Sequence, residues 1–494
     1  MNKILTIAAL ALVLSACSNE DNDIQTPVEQ PAKSESEGIP FTATISIGES
    51  AMTRALTEDA TNNQIVPTWA TGEKVALIYT VGSTPTKTDA EVTKQADGTA
   101  TISATLASGA TNGSDVTIIY PSTAADGTTG NVKANLLAAQ DGTLATIATN
   151  YDVRKGTGKL SINDEKATVN NGTAGTTVSL TNLNAIFKFT LQDLSDAAKS
   201  ATEFKVSDNS GNVITTVTSG SASGELYVAL PVMAAGTYWF NATIDSKPYI
   251  AKATTAAATV AGKYYQTTVK MATIGDYLNK DGSITATKQA SGDNESYAVI
   301  AYVGSVANYF SHFLALALTD VDANYHTWAQ ALTAVGTYAA AHPVTIGSTT
   351  YNTSTTGATY YDQVASNQSA SSATATAIQT GWRLPSVTDW RYVIDGLGRI
   401  KGGLALSDGT NAVTPTSPLG VSDGMVYRNG NNGKTLRDAI NTACDNEALQ
   451  FSGYWSSSEY TDDSDDAWRY RFNDGIFWWS TKTLVYYVRA VFAY

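Results

Sequence analysis

Phe41-Thr-Ala-Thr-Ile-Ser-Ile47 alternates apolar and polar residues without a break, as a strand with one buried face must. The pattern returns in Lys74-Val-Ala-Leu-Ile-Tyr79 and in Val116-Thr-Ile-Ile-Tyr120, the second stopped by Pro121. Gly- and Asn-bearing turns separate such runs at short intervals, the spacing of a β-sandwich. A second β-rich stretch follows in Ala185-Ile-Phe-Lys-Phe-Thr-Leu191, Glu225–Pro231 and Thr237–Ile244, closed by Gly262–Lys270. No sustained 3.6-residue period precedes residue 272, so the chain reads as mainly β up to that point.

Beyond 272 the pattern changes. Thr327-Trp-Ala-Gln330, Ser386-Val-Thr-Asp389 and Thr435-Leu-Arg-Asp438 each place a capping residue three before a polar partner. Apolar residues at helical spacing follow each: Trp328, Leu332 and Val335; Val387, Trp390, Val393, Ile394 and Leu397; Leu436, Ala439 and Ile440. Gly396 and Gly398 are expected to end the second helix. Strands come last, at Gly453–Ser458, Trp468–Phe472, Ile476–Trp479 and Tyr487–Tyr494, with a turn at Asn473-Asp-Gly475. Helices followed by an antiparallel sheet predict an α+β unit.

The 494 residues suit about three domains at roughly 150 residues each. The divisions expected are a signal segment 1–16, a tether 17–38 rich in Glu, Gln, Pro and Ser, β-sandwiches over 39–150 and 151–272, and the α+β unit over 273–494. Charged residues are 15% of the chain and apolar ones 43%, enough for packed cores. Acidic residues number 45 against 31 basic, a net charge of −14 that argues against a nucleic-acid surface.

Lys3 and the apolar run Ile4–Leu14 read as a signal segment and Leu14-Ser-Ala-Cys17 as its lipobox, in which Cys17 becomes the acylated first residue; a cleaved signal peptide with an incidental Cys is the other reading. The run is too short to span a bilayer, so a lipid on Cys17 (palmitate among its chains) is the expected outer-membrane anchor. The acidic Ser18-Asn-Glu-Asp-Asn-Asp23 resembles a lipoprotein surface-export signal; a solvated tether is the other reading. With Cys17 acylated, Cys444 has no disulfide partner and is expected in the core, four residues after Ile440.

Catalysis has no positive sign. His312, His326 and His342 form no metal or nucleophile motif, no phosphate loop is present, and no cofactor is implied. Asp462, Asp463, Asp465 and Asp466, beside Glu459, are weak candidates for calcium without the glycine and closing glutamate of a calcium loop; a solvated acidic loop is the alternative. Trp468, Tyr470, Trp478, Trp479, Tyr486 and Tyr487 are candidate ligand contacts together with Glu459, since rigid aromatics give contact area at low entropic cost. Strict alternation lets only half of them face solvent, and Trp468, Tyr470 and Phe472 also suit a core.

The lipobox, Phe41-Thr-Ala-Thr-Ile45, Thr53-Arg54 and Trp69-Ala-Thr-Gly-Glu-Lys-Val75 together resemble the opening of the fimbrillins, the Mfa-like lipoprotein precursors of type V pilus subunits. Tyr227-Val-Ala-Leu-Pro231 and Gly262-Lys-Tyr-Tyr-Gln-Thr-Thr-Val269 resemble the end of the same fold. The third unit resembles bacterial C-type-lectin-like domains through Gly381-Trp-Arg-Leu-Pro-Ser386, Tyr454-Trp-Ser-Ser-Ser-Glu459 and Val488-Arg-Ala-Val-Phe492, without the disulfides or calcium motifs of animal lectins. The resemblance implies two transthyretin-like sandwiches followed by a lectin-like adhesive domain. It implies a non-enzymatic fimbrial subunit cut between Arg54 and Ala55 and joined to other pilus subunits by β-strand complementation. The partner is then a host or microbial surface glycan or protein. With residues 273–494 where a donor extension would stand, the expected place is the fimbrial tip; a monomeric surface glycan-binding lipoprotein is the alternative.

Overall fold

The computed structural model describes residues 38–47, 57–59, 64–66, 69, 72–95, 99–171, 177–306, 309–354, 363–364, 368–369, 380–404, 420–421, 433–445, 449–450, 452–460 and 463–494. The signal segment, Cys17, the tether up to residue 37, Arg54, Ala55 and Asp462 lie outside them. The described chain is mostly β-sheet, with its helices concentrated after residue 327. Among the described residues, no helix is long and apolar enough to cross a membrane.

Seven principal strands make the first unit: β1 (Ile39–Ser46), β2 (Lys74–Val81), β3 (Thr84–Lys94), β4 (Ala100–Leu106), β5 (Asp115–Tyr120), β6 (Arg154–Asn163) and β7 (Lys166–Asn170). Their order is β7-β1-β4-β3-β2-β5-β6, and β6 pairs back to β7, so the sheet closes on itself. The alternation read in β1 is realised. Phe41, Ala43 and Ile45 point into a core with Leu77, Val92, Ile102, Ile118, Leu160 and Val169, while Pro40 and Thr42 face solvent. β1 runs antiparallel to β4 from Ile39↔Leu106 to Ile45↔Ala100. On its other side it runs parallel to β7 at Phe41↔Ala167 and to Thr177–Ser179. At its end the carbonyl of Ile47 accepts from Arg154 Nη1 at 2.9 Å, and the buried guanidinium is itself paired with Asp152 at 3.1 Å.

The expected division at residue 150 falls inside this unit. β6, β7, Thr177–Ser179 and Thr181–Asn182 all pair into the first sheet, and the change of sheet comes at Leu183. β7 and Thr177–Ser179 join β1 across more than a hundred residues, so the pairing leaves no local trace.

The second unit holds β8 (Asn184–Asp193), β9 (Ala201–Asp208), β10 (Val213–Ser223), β11 (Glu225–Pro231), β12 (Gly236–Ile244), β13 (Lys247–Thr255) and β14 (Tyr264–Thr273), in the order β11-β8-β14-β13-β12-β9-β10. β8 runs parallel to β14 from Ile186↔Tyr264 to Asp193↔Met271. Phe189, Phe204 and Phe240 meet in the core with ring centroids 5.1–5.8 Å apart. The link from the first unit adds a strap: Ala139 and Gln140 pair with β10, and the buried Gln140 amide bonds Thr215 Oγ1 and both backbone groups of Ala229.

The third unit opens with strands, not helices. β15 (Tyr277–Asn279), β16 (Ser296–Val303) and β17 (Phe313–Ala317) precede α1 (Trp328–Ala341). β16 and β17 are buried on both faces, so their side chains show no alternation. β18 (Gly381–Arg383), α2 (Val387–Val393), α3 (Gly433–Ala443), β19 (Gly453–Tyr460), β20 (Asp466–Arg471), β21 (Ile476–Thr481) and β22 (Val491–Ala493) complete it. One sheet runs β15-β16-β17-β22-β18 and the other β19-β20-β21. Two capping boxes form as read: Gln330 N–H donates to Thr327 Oγ1 and Asp389 N–H to Ser386 Oγ, each answered by the reciprocal bond. The third does not. α3 begins at Gly433, which puts Thr435 inside the helix rather than at its cap.

Gly396 and Gly398 do not end α2 either. The chain continues through a π-helical segment, Ile394–Lys401. A Cβ on Gly396 would sit 1.6 Å from the Ala301 carbonyl oxygen, so this glycine admits β16 against the helix. Cys444 is buried in the core of this unit, as expected. That core runs on into the second unit: Trp239 stacks on His312 at 4.1 Å and meets Tyr494 at 5.4 Å, and Ile250 and Ala272 belong to the same cluster.

Candidate functional site

The candidate aromatics divide by strand alternation. On β20, Trp468 and Tyr470 are buried on one face, whereas Arg469 and Arg471 emerge on the opposite face, beyond the buried Ala467. Trp468 and Tyr470, both 0% exposed, are therefore core residues and not ligand contacts. Tyr470 packs against Phe472, Phe477 and Trp390, which fixes the β20–β21 hairpin onto α2. The turn at Asn473–Gly475 forms, with Gly475 at φ +74°.

Glu459 leaves the candidate set for another reason. It is 7% exposed, and its carboxylate pairs with Lys482, whose ammonium also lies 4.7 Å above the Trp328 ring. The acidic run does not converge. Asp466 is buried; Asp463 and Asp465 are exposed, and Asp463 is used in accepting from the Asp465 backbone at 2.9 Å. Among the described residues, no group of three or more His, Cys, Asp or Glu side chains is placed to hold a metal ion.

Four of the predicted aromatics remain half-exposed. Trp479 stacks on Tyr460 at 5.4 Å along one edge. Trp478 stands opposite Arg469 in the ladder and lies 5.5 Å from the Arg471 guanidinium. Tyr486 and Tyr487 come from the segment after β21, held against residues 325–328 by paired backbone bonds between His326 and Tyr486. Tyr486 lies over the buried Trp455 ring at 4.9 Å and beneath the Arg469 guanidinium at 4.2 Å. Tyr487 donates to the Tyr325 hydroxyl at 3.1 Å. That bond first, and burial second, push the Tyr487 phenol up to about 12, so it stays neutral at any physiological pH.

The result is one face with two aromatic rings, Trp478 and Tyr486, and two guanidinium groups, while Trp479, opposite Trp468 in the ladder, and Tyr487, stacked on Tyr454, lie on the other side of the sheet. Tyr325 is 52% exposed, and Leu484 and Val485 are each 49% exposed. Tyr325, Arg469, Arg471, Leu484 and Val485 were not among the sequence candidates. For the arginines a signal existed: in Trp468-Arg-Tyr-Arg-Phe472, buried aromatics force the intervening residues outward. Tyr325 carried none, because a pairing across some 160 residues brings it to Tyr487. The three histidines lie elsewhere or serve structure: His326 bonds Asp322, His342 stacks on Tyr338, and burial pushes His312 down to about 4.

No family model matches the chain, and no curated protein matches it. Among solved structures it is similar to a fimbrial protein from Bacteroides ovatus at 13% identity, over 92% of this chain and 99% of that one, with a TM-score of 0.25. It is also similar to the tip fimbrial protein Mfa3 from Porphyromonas gingivalis, C-terminally truncated, at 9% identity over 46% of this chain and 85% of that one, with a TM-score of 0.23. Scores of this size leave fold and function to be argued from the chain itself.

Proposed function

We propose that the chain is the lipid-anchored precursor of a fimbrial subunit, built from two transthyretin-like sandwiches and a lectin-like third unit that acts as the adhesive end. Acylation at Cys17 holds it on the outer membrane. Cleavage between Arg54 and Ala55 frees β1, and another pilus subunit then supplies a strand to the vacated seat. The seat of β1 carries this reading. β1 closes the sheet between β4 on one side and β7 with Thr177–Ser179 on the other. It buries one alternating face, Phe41, Ala43 and Ile45, and leaves the other to solvent. Its removal would expose two rows of backbone groups and an apolar groove, which only another strand of the same pattern can refill.

Among the described residues of the third unit, β22 is not a comparable strand to give, because it lies between β17 and β18 with every residue buried. A subunit that accepts and does not donate stands at the fibre tip, where the half-exposed aromatic face would meet a surface glycan or protein without turnover. N-terminal sequencing of fibre-associated protein should begin at Ala55, and immunogold label should mark fibre ends. A fibre-associated chain still beginning at Cys17 would defeat the strand-exchange reading. Label spread evenly over the cell would favour a monomeric glycan-binding lipoprotein. Cys17→Ala should release the precursor from the membrane fraction; full retention would defeat the anchor.

A further inference from the structure

Two arginines stand on one face of the β19–β21 sheet, in a chain where acid outnumbers base by 45 to 31. Arg469 and Arg471 project from the same side of β20, opposite Trp478 and Ile476. Arg471 is neutralised by Asp474. Arg469 is not. Its Nε donates to Ser480 Oγ at 2.7 Å and its plane lies 4.2 Å over the Tyr486 ring, but no carboxylate among the described residues pairs with it. The terminal nitrogens of its fork therefore keep their donors. Burial holds this guanidinium below its ordinary value; Tyr486 opposes that and the neighbouring Arg471 adds to it. A half-buried cation without a counter-charge is costly to keep, and an oxyanion held by both fork nitrogens removes that cost.

The backbone makes room for this arrangement. A Cβ at Gly453 would stand 2.9 Å from Arg469 Nη1 and 3.1 Å from Tyr486 Cδ1. A side chain at this position of β19 would displace the guanidinium or the Tyr486 ring from their present stacking. Trp478, the partner of Arg469 across the ladder, is half-exposed, with the Arg471 guanidinium 5.5 Å from its ring, and an aromatic plane next to a charged fork is the complement of a sugar ring bearing an acidic group.

Resting on the reading of the third unit as adhesive, we propose that this face binds an acidic sugar: a carboxylate or sulfate taken by the fork of Arg469, which Tyr486 supports from beneath, with the pyranose ring laid against Trp478. A face of one aromatic plane beside one uncompensated guanidinium suits a terminal sugar better than a folded protein partner, which needs a far larger buried area.

Calorimetric titration of the full-length chain with sialyllactose, sulfated lactose and lactose tests it. At least one acidic sugar should bind about tenfold or more tightly than lactose, and the one that does identifies carboxylate or sulfate as the anion. Its affinity should fall with added salt while that for lactose does not. Arg469→Met keeps the stacked alkyl stem and should bring the acidic sugar down to the level of lactose, a loss of about tenfold or ~1.4 kcal/mol. Arg469→Lys, which keeps charge and loses the fork, should fall between. Equal affinity for all three sugars, no binding of any, an unchanged Arg469→Met with native unfolding temperature, or preferential binding of a Glu-rich peptide would each overturn the inference. Adherence of protein-coated beads to cells separates it from the broader reading. Loss of adherence in Trp478→Ala and Tyr486→Ala but not in Arg469→Met removes the acidic sugar and leaves the adhesive face. Adherence unchanged in all three removes both.

Discussion

β1 and β22 both lie inside a sheet, yet they are held by opposite means. β1 has a long ladder to β4 on one side, short pairings to β7 and Thr177–Ser179 on the other, and one buried face. β22 has short ladders to β17 and β18, and all of Val491, Phe492 and Ala493 are buried. The comparison separates two things that hold a strand. Backbone pairing is exchangeable, because any strand of matching register can supply it. Burial on both faces is not, because the covering helices would have to move. The count of ladder bonds thus ranks β1 as the better secured strand, while coverage ranks β22, and strand exchange follows coverage.

Phe492→Ala should give the largest effect. The ring lies 5.4 Å from Trp382, 5.7 Å from Tyr351 and 6.4 Å from Phe313, so truncation opens a cavity that these rigid neighbours cannot fill. A loss of about 3–5 kcal/mol is expected in urea unfolding of the third unit. A loss below about 1 kcal/mol would show that β22 is not clamped. Phe41→Ala should cost about 3 kcal/mol and act elsewhere. Hydrogen exchange should speed up in β1 and β4 and stay unchanged in β17 and β22. Equal acceleration in both regions would mean that the two strands do not differ as argued.

The difference between these strands also marks what the sequence reveals. A strand with one covered face writes its burial into alternation, which is why β1 and β8 were legible from Phe41–Ile47 and Ala185–Leu191. Capping residues act within one turn, so α1 and α2 could be placed from Thr327 and Ser386. A strand covered twice, such as β16, loses that periodicity and went unread. Long-range closure is equally silent: nothing in Arg154–Asn170 announces a partner as distant as Phe41. At the candidate site, the aromatics were visible by type, but their division into Trp468 and Tyr470 inside and Trp478 outside depends on register.

A third expectation concerns the junction through which the third unit is attached. His312 is buried against Trp239 and Tyr494, and that burial pushes its imidazole down to about 4; the Asn209 carbonyl and Asp208 act the other way. In the unfolded chain the same group titrates near 6.5. Its neutral form is therefore secure above about pH 6.5. As pH falls from there to about 4, the unfolded chain takes up a proton that the folded one refuses, and stability drops by on the order of 3 kcal/mol. Asp276 and Asp320, which burial pushes up to about 6, oppose this, since their protonation over that window favours the folded state. The isolating measurement is the difference between His312→Phe and the parent. The melting temperature of the variant should fall less between pH 7 and pH 4.5; identical falls would place the acid sensitivity elsewhere.

The smallest effect tests the cover itself. α1 reaches β22 through two ring contacts: Tyr338 meets Trp382 edge-on at 5.2 Å, and Trp382 meets Phe492 at 5.4 Å. The Trp382 indole also donates to the His342 carbonyl just past the end of α1, at 2.7 Å. Loosening the helix should therefore be felt at the strand. Thr327→Ala removes the hydroxyl that accepts from the Gln330 backbone and leaves the reciprocal Gln330 bond to the Thr327 amide available. The expected cost is about 1 kcal/mol, the ordinary value of an N-cap. Hydrogen exchange should quicken in the first turn of α1 and, more weakly, in β18 and β22, while β1 keeps its protection. Faster exchange confined to α1 would mean that the helix covers the sheet without holding it. β22 would then owe its place to the short ladders alone, and the contrast with β1 would rest on Phe492 rather than on the cover.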